Sequence, residues 1–598
     1  MSLLGDLQTQ VKRLCDDLRE RSEQAPFADA LKTEYAAAAK PPKPAAARTA
    51  LSFVAWREDR IVQAAVAWVL STVFVRFCED NELVELPWIA GPGDRLELAV
   101  ERAEERARAH PEQTDRDWLE VAFHALSSSP VAAGLFDRAH NPLWTITPSH
   151  EGAKDLLAFW RRRTADGTLL HDFTGWDTRF LGDLYQELSE HAKDTYALLQ
   201  TPEFVERFIL DLTLEPAIEE FGLAGLRVID PTCGSGHFLL GVFHRLLDGW
   251  RDTAPTVNDW ELIRRALDSV HGVDKNPFAA AIARFRLMIA AMRAGGVKRL
   301  DTQVVFPLHV AVGDSLLHGQ GASGAQDDLF TQPHHYVTED VEEYIKSVNI
   351  LGRGSYHVVI GNPPYITVKD KAENHNYRAA YATCAGTYAL SVPFAERFFK
   401  LAQHAGGDRK GAGFVGQITA NSFMKREFGK KLITDFFGQK VELTHVIDTS
   451  GAFIPGHGTP TVILVGRNQM PKESLPVHAV LGVRGEPAQP ADPAKGLVWQ
   501  AIIHQYDKPG SESEWVSVAD LDRSRLRHHP WSLSGGGASE VVEQIEQSSA
   551  EILKQRGEVG TGAVTRENEV FIIGAGTLSR GRIPQELRRP LLDAMPLR

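Results

Sequence analysis

The spacing of apolar residues changes from a helical to an alternating pattern near residue 200. Residues 56–199 carry apolar side chains at helical intervals, with breaks at residues 87–93 and around Pro142. Ahead of them, residues 1–35 have the pattern of one amphipathic helix, and residues 36–47 form a linker rich in Ala, Pro and Lys. The first third of the chain is therefore predicted to be all-α.

Short apolar runs of strand length alternate with helical stretches after residue 200. Seven strands are predicted, near residues 226–230, 270–274, 309–313, 357–361, 413–419, 441–448 and 461–466. This alternation predicts an α/β fold whose sheet is mostly parallel and carries helices on both faces. The last two strands are close enough in sequence to form an antiparallel hairpin. A ligand is expected at the carboxyl ends of the strands.

Three domains are predicted from these changes of pattern. A helical N-terminal domain covers residues 1–195, an α/β domain covers residues 196–470, and residues 471–598 form a third region. The third region is rich in Pro, Gly and polar residues and contains short strand-like pieces such as residues 569–573, so we expect it to be partly β. A chain of this length can bury several cores.

The composition is that of an ordinary soluble protein, with 43% hydrophobic and 24% charged residues. The longest uncharged apolar run, residues 61–75, is too short to span a bilayer at ~1.5 Å per residue and is predicted to be a buried helix. The charged N-terminus does not have a signal-peptide pattern. The cysteines have no metal-ligand spacing and suit a reduced compartment; they are Cys15, Cys78, Cys233 and Cys384. We therefore expect a cytoplasmic protein with no metal and no membrane contact.

The formal net charge of -13 argues against general binding to nucleic acid, which requires local neutralisation of phosphates. Two groups of cations are candidates for such local binding. The first, on one predicted helix, is Lys425, Arg426, Lys430 and Lys431, and the second is Arg580, Arg582, Arg588 and Arg589. An ordinary solvated helix face is the favoured interpretation of the first group, whereas for the second group both interpretations are equally open. An acidic protein that acts on DNA could also depend on a partner.

A tetrapeptide with distinctive chemistry follows the fourth predicted strand: Asn362, Pro363, Pro364 and Tyr365. An amine on a nucleobase is a poor nucleophile because its lone pair is delocalised into the ring. The Asn362 carboxamide oxygen and the Pro363 carbonyl can each accept a hydrogen bond from one N–H group of such an amine. The prolines hold both acceptors in place. Tyr365 can stack on a base that has left its duplex. Asn-Pro-Pro is also a common turn after a strand, so the tetrapeptide alone leaves both interpretations open.

A glycine-containing turn, Asp230-Pro231-Thr232-Cys233-Gly234-Ser235-Gly236, joins the first predicted strand to an apolar helix. Gly234 and Gly236 allow a ligand to approach the backbone, and free N–H groups at the start of the helix face it. The turn is not a Gly-x-x-x-x-Gly-Lys phosphate loop. Because residue 239 is Leu, it does not continue as a Gly-x-Gly-x-x-Gly dinucleotide motif either. Cys233 is not preceded by proline, which argues against covalent catalysis on a cytosine ring carbon.

These two segments together resemble the amino-methyltransferases of DNA, in which they are the cofactor loop (residues 230–236) and the catalytic loop (residues 362–365). The resemblance implies a class I methyltransferase fold with S-adenosyl-L-methionine as the cofactor. It assigns cofactor contacts to Asp230, Pro231, Cys233, Gly234, Gly236 and Asn362.

The same resemblance assigns roles to five further residues. It implies that Asp274, after the second strand, takes the cofactor ribose hydroxyls and that Asp314, after the third, holds the adenine amine. It implies that Thr201 and Pro202 close over the methionine end of the cofactor. It also places Phe453 against the flipped base, opposite Tyr365. Asp274 or Asp314 alone would more often be a solvated carboxylate, and Phe453 alone a core residue, but the order of the matches favours the family.

The order of the motifs resembles that of the gamma group, which is mostly adenine-specific, and within it the PglX-type methylases of BREX (phage growth limitation) defence systems. The resemblance implies N6 methylation of adenine in double-stranded DNA, in a phage-defence or restriction-modification system with other defence subunits as partners. PglX-type proteins are usually longer, so we expect a truncated target-recognition region over residues 471–598.

Three alternatives remain at this point. The catalytic tetrapeptide also occurs in methyltransferases of RNA or of protein glutamine, but those enzymes are compact. A fused nuclease would need clustered carboxylates and commonly a Glu-x-Lys tripeptide, which the chain lacks. The third alternative is a non-catalytic DNA-binding subunit that keeps the fold but senses the cofactor or a phage protein. The intact motifs weigh against it, but they leave open a non-autonomous methylase subunit that requires partners.

Overall fold

The computed structural model describes residues 3–533 except 44, 131, 176–177, 189–199, 301–304 and 320–334, and four isolated positions beyond residue 533. Residues 1–536 form one compact unit and residues 537–598 a second. The predicted strand-like piece at residues 569–573 and the arginine group Arg580, Arg582, Arg588 and Arg589 lie outside the described residues.

Helices make up the described part of the N-terminal region. They are Leu3–Arg21, Phe27–Ala39, Phe53–Asp80, Arg95–Ala109, Asp115–Ser127, His150–Trp160 and Arg179–Glu187. The single helix predicted for residues 1–35 is wrong, because two helices occupy this stretch. The second of them continues to Ala39, into the predicted linker, since its run of alanines has the highest helix propensity.

The predicted buried helix is longer than its uncharged apolar run and spans Phe53–Asp80. It starts at Ser52, whose side chain accepts a hydrogen bond from the Ala55 N–H at 3.3 Å. Near its end, the buried Arg76 guanidinium donates to Asp80 at 2.8 Å. Among the described residues this is the one helix long and apolar enough to cross a membrane, and its most apolar window is fully buried in the protein. A helix that is apolar all round belongs in a core.

Among the described residues, a single mixed sheet of nine strands organises the rest of the unit. The strands are β1 Val228–Asp230, β2 Val270–Asp274, β3 His309–Val312, β4 Val358–Gly361, β5 Phe414–Ala420, β6 Glu442–Asp448, β7 Thr461–Arg467, β8 Val477–Gly482 and β9 Val516–Leu521. Their order is β3-β2-β1-β4-β5-β7-β6-β8-β9. The first five are parallel, and β7 is antiparallel to both β5 and β6. All seven predicted strands and the predicted hairpin are confirmed.

Two further strands, β8 and β9, extend this sheet beyond the boundary predicted at residue 470. β8 pairs parallel to β6, and β9 pairs antiparallel to β8. The helix Leu497–Gln505 lies between them in sequence, and Trp499 on it contacts Phe204 edge-to-face. The sheet therefore does not break at residue 470, and the three-domain division stays a prediction.

Alternate side chains along the strands enter two separate cores, one on each face of the sheet. Val228, Val358 and Ile418 join the core that contains the N-terminal helices and the helices Glu203–Phe221, His237–Thr253 and Pro277–Ala294. Ile229, Val359 and Val415 join the opposite core, with the helices Lys371–Ala380 and Ser391–Leu401. This alternation follows from the two-residue period of a strand, and it confirms a sheet covered by helices on both faces.

The helix predicted to carry the first group of cations differs from the structure. Lys425, Arg426, Lys430 and Lys431 are exposed, but Lys425 and Arg426 lie between two short 3₁₀ turns, whereas Lys430 and Lys431 begin the helical segment that continues as the π-helix Leu432–Phe437. The chain folds back at Gly429, where a Cβ would lie 1.9 Å from the Phe423 carbonyl oxygen, and a continuous helix cannot make this approach. The helix Ser391–Leu401 starts just after Ala389, which pairs with Thr367 in a β-bridge.

Candidate active site

The cofactor and catalytic loops lie side by side because β1 and β4 are neighbouring parallel strands, with Ile229 opposite Val359. The two loops leave the same edge of the sheet. A Cβ on Gly361, the last residue of β4, would lie 2.5 Å from Asp230 Oδ1 and 2.8 Å from Thr232 Oγ1. The lack of a side chain at Gly361 therefore permits the contact between the loops.

The backbone of the cofactor loop has two glycines in the left-handed region, Gly234 at φ 52° and Gly236 at φ 84°. Gly236 N-caps the helix His237–Thr253. A Cβ at Gly234 would meet no atom within 4 Å, so this turn faces open space. Cys233 is buried, and burial raises the pKa of its thiol well above the ordinary value, which keeps it protonated.

Two carboxylates hold the loop in shape. Asp230 accepts from the Thr232 N–H at 2.9 Å, and Asp274 at the end of β2 accepts from the Gly234 N–H at 2.9 Å. Burial raises the pKa of Asp230 to about 7 and the pKa of Asp274 to about 6. Near neutral pH, Asp274 is thus mostly ionised and can accept further hydrogen bonds from a ligand.

Asp314 follows β3 and is buried among polar side chains that the sequence motifs did not indicate. Its Oδ2 accepts from the Tyr377 hydroxyl at 2.6 Å and lies 3.8 Å from Arg48 Nη2 and 3.9 Å from Lys275 Nζ. Its Oδ1 accepts from the Leu316 N–H at 3.0 Å. Arg48 directly follows the predicted linker of residues 36–47, and no sequence motif indicated that it would approach Asp314.

The segment around Arg48 is tied to the helix Lys371–Ala380 and its cap. Thr49 Oγ1 donates to Asp370 at 2.6 Å, and the Ala50 N–H donates to the same carboxylate at 2.9 Å. Asn376 Nδ2 donates to the Ala47 carbonyl at 2.9 Å. Residues 47–50 therefore pack beside the carboxyl end of β3 instead of forming a free linker.

One group of side chains beside this segment has the composition of a metal site. Donor atoms of His318, His335 and Glu339 lie within 4.8 Å of one another. Both carboxylate oxygens of Glu339, however, already accept from Arg48, at 2.6 and 3.2 Å. We interpret the group as an ion-pair network around Arg48.

In the catalytic loop, Asn362 is held through both ends of its carboxamide. Its Oδ1 accepts from the Tyr365 hydroxyl at 2.7 Å, and its Nδ2 lies 3.3 Å from His457 Nε2. Burial raises the pKa of Tyr365, so its hydroxyl remains a donor. The sequence motifs missed His457, which lies between β6 and β7 and reaches the loop only through the fold.

The remaining predicted site residues are Phe453, Thr201 and Pro202. Phe453 is half-buried between β6 and β7, but among the described aromatic side chains it is His457 that lies against Tyr365, with ring centroids 5.8 Å apart. Thr201 is buried, and Pro202 precedes the helix Glu203–Phe221. Gln200, the residue before Thr201, lies near His237, the first residue of the helix that follows the cofactor loop. Both side chains approach Gly182, because a Cβ at that glycine would be 2.4 Å from Gln200 Nε2 and 3.0 Å from His237 Nε2.

The fold and the adjacent loops define the class I S-adenosylmethionine-dependent methyltransferase fold that the motifs predicted. Residues 268–454 match the model of the Eco57I restriction-modification methylase family. This match includes Asp274, Asp314, the catalytic loop and Phe453.

Comparison of the whole chain gives a more particular similarity. Over 576 residues the chain is 52% identical to the adenine-specific methyltransferase PglX of Streptomyces coelicolor, an alignment that covers 93% of this chain and 47% of PglX. It is 23% identical to the type II methyltransferase M.PaeR7I of Pseudomonas aeruginosa, covering 63% of this chain and 56% of that one. The resemblance to adenine-specific DNA methyltransferases of the PglX type is thereby confirmed. The chain spans about half the length of these relatives.

Solved structures give more distant matches. The ATP-dependent type ISP restriction-modification enzyme LlaBIII bound to DNA aligns with 80% of this chain and 29% of its own, at 15% identity and a TM-score of 0.46.

Proposed function

We propose that this chain transfers a methyl group from S-adenosylmethionine to the exocyclic N6 amine of adenine in double-stranded DNA. The observation that carries the proposal is the contact between the loops, in which Gly361 leaves room for the Asp230 carboxylate. Asn362, whose oxygen can accept from an amine, thus lies at the same edge of the sheet as the cofactor loop, where Gly234 faces open space. The sequence identity to a named adenine-specific methyltransferase supports the choice of base.

The residues around the cofactor loop suit S-adenosylmethionine. Ser235 Oγ is buried and has no hydrogen-bond partner among the described residues, and Gly234 faces open space. Asp274 would take the ribose hydroxyls and Asp314 the adenine amine, while Asp230, Pro231, Cys233, Gly234 and Gly236 would line the site. Thr201 and Pro202 would close it. When bound, the cofactor supplies an electrophilic methyl group.

The catalytic loop would act on a base that has left the duplex. Asn362 Oδ1 and the Pro363 carbonyl would accept the two N–H bonds of the amine, and this would localise the nitrogen lone pair for attack. Pro364 restricts the backbone, and Tyr365 would stack on the base, with Phe453 on its other side. A strong general base is not required, because the amine becomes acidic once it carries a fourth substituent.

DNA would approach at the carboxyl ends of the strands. β5 pairs with β4 up to Gly361, which lies opposite Gln417, and the exposed cations Lys425, Arg426, Lys430 and Lys431 follow β5. These cations could neutralise a few backbone phosphates locally, although the negative net charge of the whole chain does not favour binding to DNA. Residues 471–598 would contribute to target recognition, and the protein would work in the cytoplasm within a BREX-like or restriction-modification system.

A second candidate is a methylase that needs partner subunits, and the observation that favours it is the formal net charge of -13, which does not favour autonomous binding to DNA. Methyl incorporation by the purified chain from labelled S-adenosylmethionine separates the two, with genomic DNA, RNA and a protein extract as parallel acceptors. We expect label in DNA, as N6-methyladenine, and none with Asn362→Ala, which should keep most of its cofactor affinity because the other predicted cofactor contacts remain. Label in RNA or protein instead would contradict the proposal. Activity only after addition of cell extract would favour the dependent subunit.

A further inference from the structure

His457 is held from two sides in a way that defines which of its nitrogens carries hydrogen. Its Nδ1 lies 3.0 Å from the Pro455 carbonyl oxygen, and its Nε2 lies 3.3 Å from Asn362 Nδ2. A carbonyl oxygen can only accept, so Nδ1 carries the hydrogen and donates. In the neutral ring Nε2 is then an acceptor, and Asn362 Nδ2 can donate to it.

The ring belongs to an otherwise exposed turn. Gly456 and Gly458 on either side are exposed, and Gly456 has φ 78°, which turns the chain tightly. The His457 side chain nevertheless folds inward, and burial lowers its pKa below the ordinary value, which favours the neutral ring. Tyr365, the titratable side chain that faces it, is kept protonated by burial.

The two ends of the Asn362 carboxamide are thus distinguished by their partners. The Tyr365 hydroxyl donates to Oδ1, and the His457 ring accepts from Nδ2. Rotation of the amide by 180° would place its oxygen against Nε2, two acceptors facing each other. Only the observed orientation keeps Oδ1 available as an acceptor for an amine, since an NH2 group in its place would repel the amine hydrogens.

We propose that His457 is a positioning residue that fixes the Asn362 amide with its oxygen ready to accept the target amine. This inference rests on the proposed function and deepens it. His457 acts through Asn362 rather than on the substrate. His457 also links the turn between β6 and β7 to the catalytic loop, because the position of that turn sets the orientation of the Asn362 amide.

The test contrasts variants by hydrogen-bonding type. His457→Gln retains an acceptor, His457→Ala has none, and His457→Lys offers only donors. We expect kcat to fall in the order wild type, Gln, Ala, Lys, with a loss of roughly 10- to 100-fold for Ala, as when an outer partner that orients a directly acting group is removed. The KM and binding affinity for S-adenosylmethionine should stay within about twofold, because the cofactor loop is untouched. His404→Ala, at an exposed histidine, is the control.

A spectroscopic measurement keeps the inference separate from the proposed activity. In protein labelled with ¹⁵N-histidine, the His457 signal, assigned by its loss in His457→Gln, should be that of the neutral ring with hydrogen on Nδ1. It should shift in Asn362→Ala. Hydrogen on Nε2, or equal kcat for the Gln, Ala and Lys variants, would overturn the positioning role. A correct ring state in a wild-type chain that transfers no methyl group to DNA, with or without cell extract, would leave the positioning of Asn362 standing and refute the proposed function.

Discussion

Arg48 Nη2 lies 3.8 Å from Asp314 Oδ2, and both side chains are buried. The two residues are separated by most of the N-terminal helical region and three strands in sequence. Arg48 also donates to both oxygens of Glu339, so one guanidinium neutralises two buried carboxylates. The segment before the long helix therefore completes the surroundings of an aspartate that the motifs assigned to the cofactor adenine.

Substitution of Arg48 by Ala should destabilise the protein substantially. It would leave Asp314 and Glu339 as buried carboxylates without their guanidinium, and breaking a buried pair in this way costs about 3–5 kcal/mol. Chemical denaturation followed by circular dichroism measures the loss. The matched control is Arg108→Ala, which removes an exposed pair at 3.9 Å and should change stability by less than about 1 kcal/mol. Equal stability of the two variants would show that Arg48 is not needed at this position.

Gly361→Ala should impair both folding stability and methyl transfer. Its Cβ would overlap Asp230 Oδ1 at 2.5 Å and approach Phe398 Cζ at 3.0 Å, and such overpacking costs about 1–3 kcal/mol. The forced separation of β1 and β4 should also move the catalytic loop away from the cofactor loop. Gly407→Ala is the control, because its Cβ would meet no atom within 4 Å. Thermal unfolding and initial rates are the measurements, and normal rates for Gly361→Ala would contradict the loop contact.

Tyr365→Phe should lower kcat while leaving most of the affinity for DNA. The ring remains for stacking, but the hydroxyl that donates to Asn362 Oδ1 at 2.7 Å is lost. A hydrogen bond of this kind is worth about 1 kcal/mol, so a decrease of several-fold in kcat is expected. Tyr365→Ala removes the stacking surface as well and should raise the KM for DNA in addition. An unchanged kcat in the Phe variant would mean that the hydroxyl does not orient the amide.

Affinity for S-adenosylmethionine should fall as the pH is lowered through about 6. Burial raises the pKa of Asp274 to about 6, so the carboxylate is charged above this pH and protonated below it. Ribose hydroxyls would donate to the charged form, and the dissociation constant should therefore rise on acidification. Asp230, with a pKa of about 7, titrates nearby. Comparison with Asp274→Asn by calorimetry isolates the contribution of Asp274, because the variant should bind weakly and lack this part of the pH dependence.

The sequence by itself determined the order of the seven predicted strands along the chain, the hairpin of β6 and β7, and the two loops after β1 and β4. These features depend on local patterns: strand-length apolar runs, glycines at turns and an unusual tetrapeptide. The tertiary structure decided which side chains contact Asp314, namely Arg48 and Tyr377, and brought His457 against Asn362. It also decided that β8 and β9 extend the sheet. Local pattern could not supply these, since each depends on side chains far apart in sequence that meet only when strands pair and helices pack.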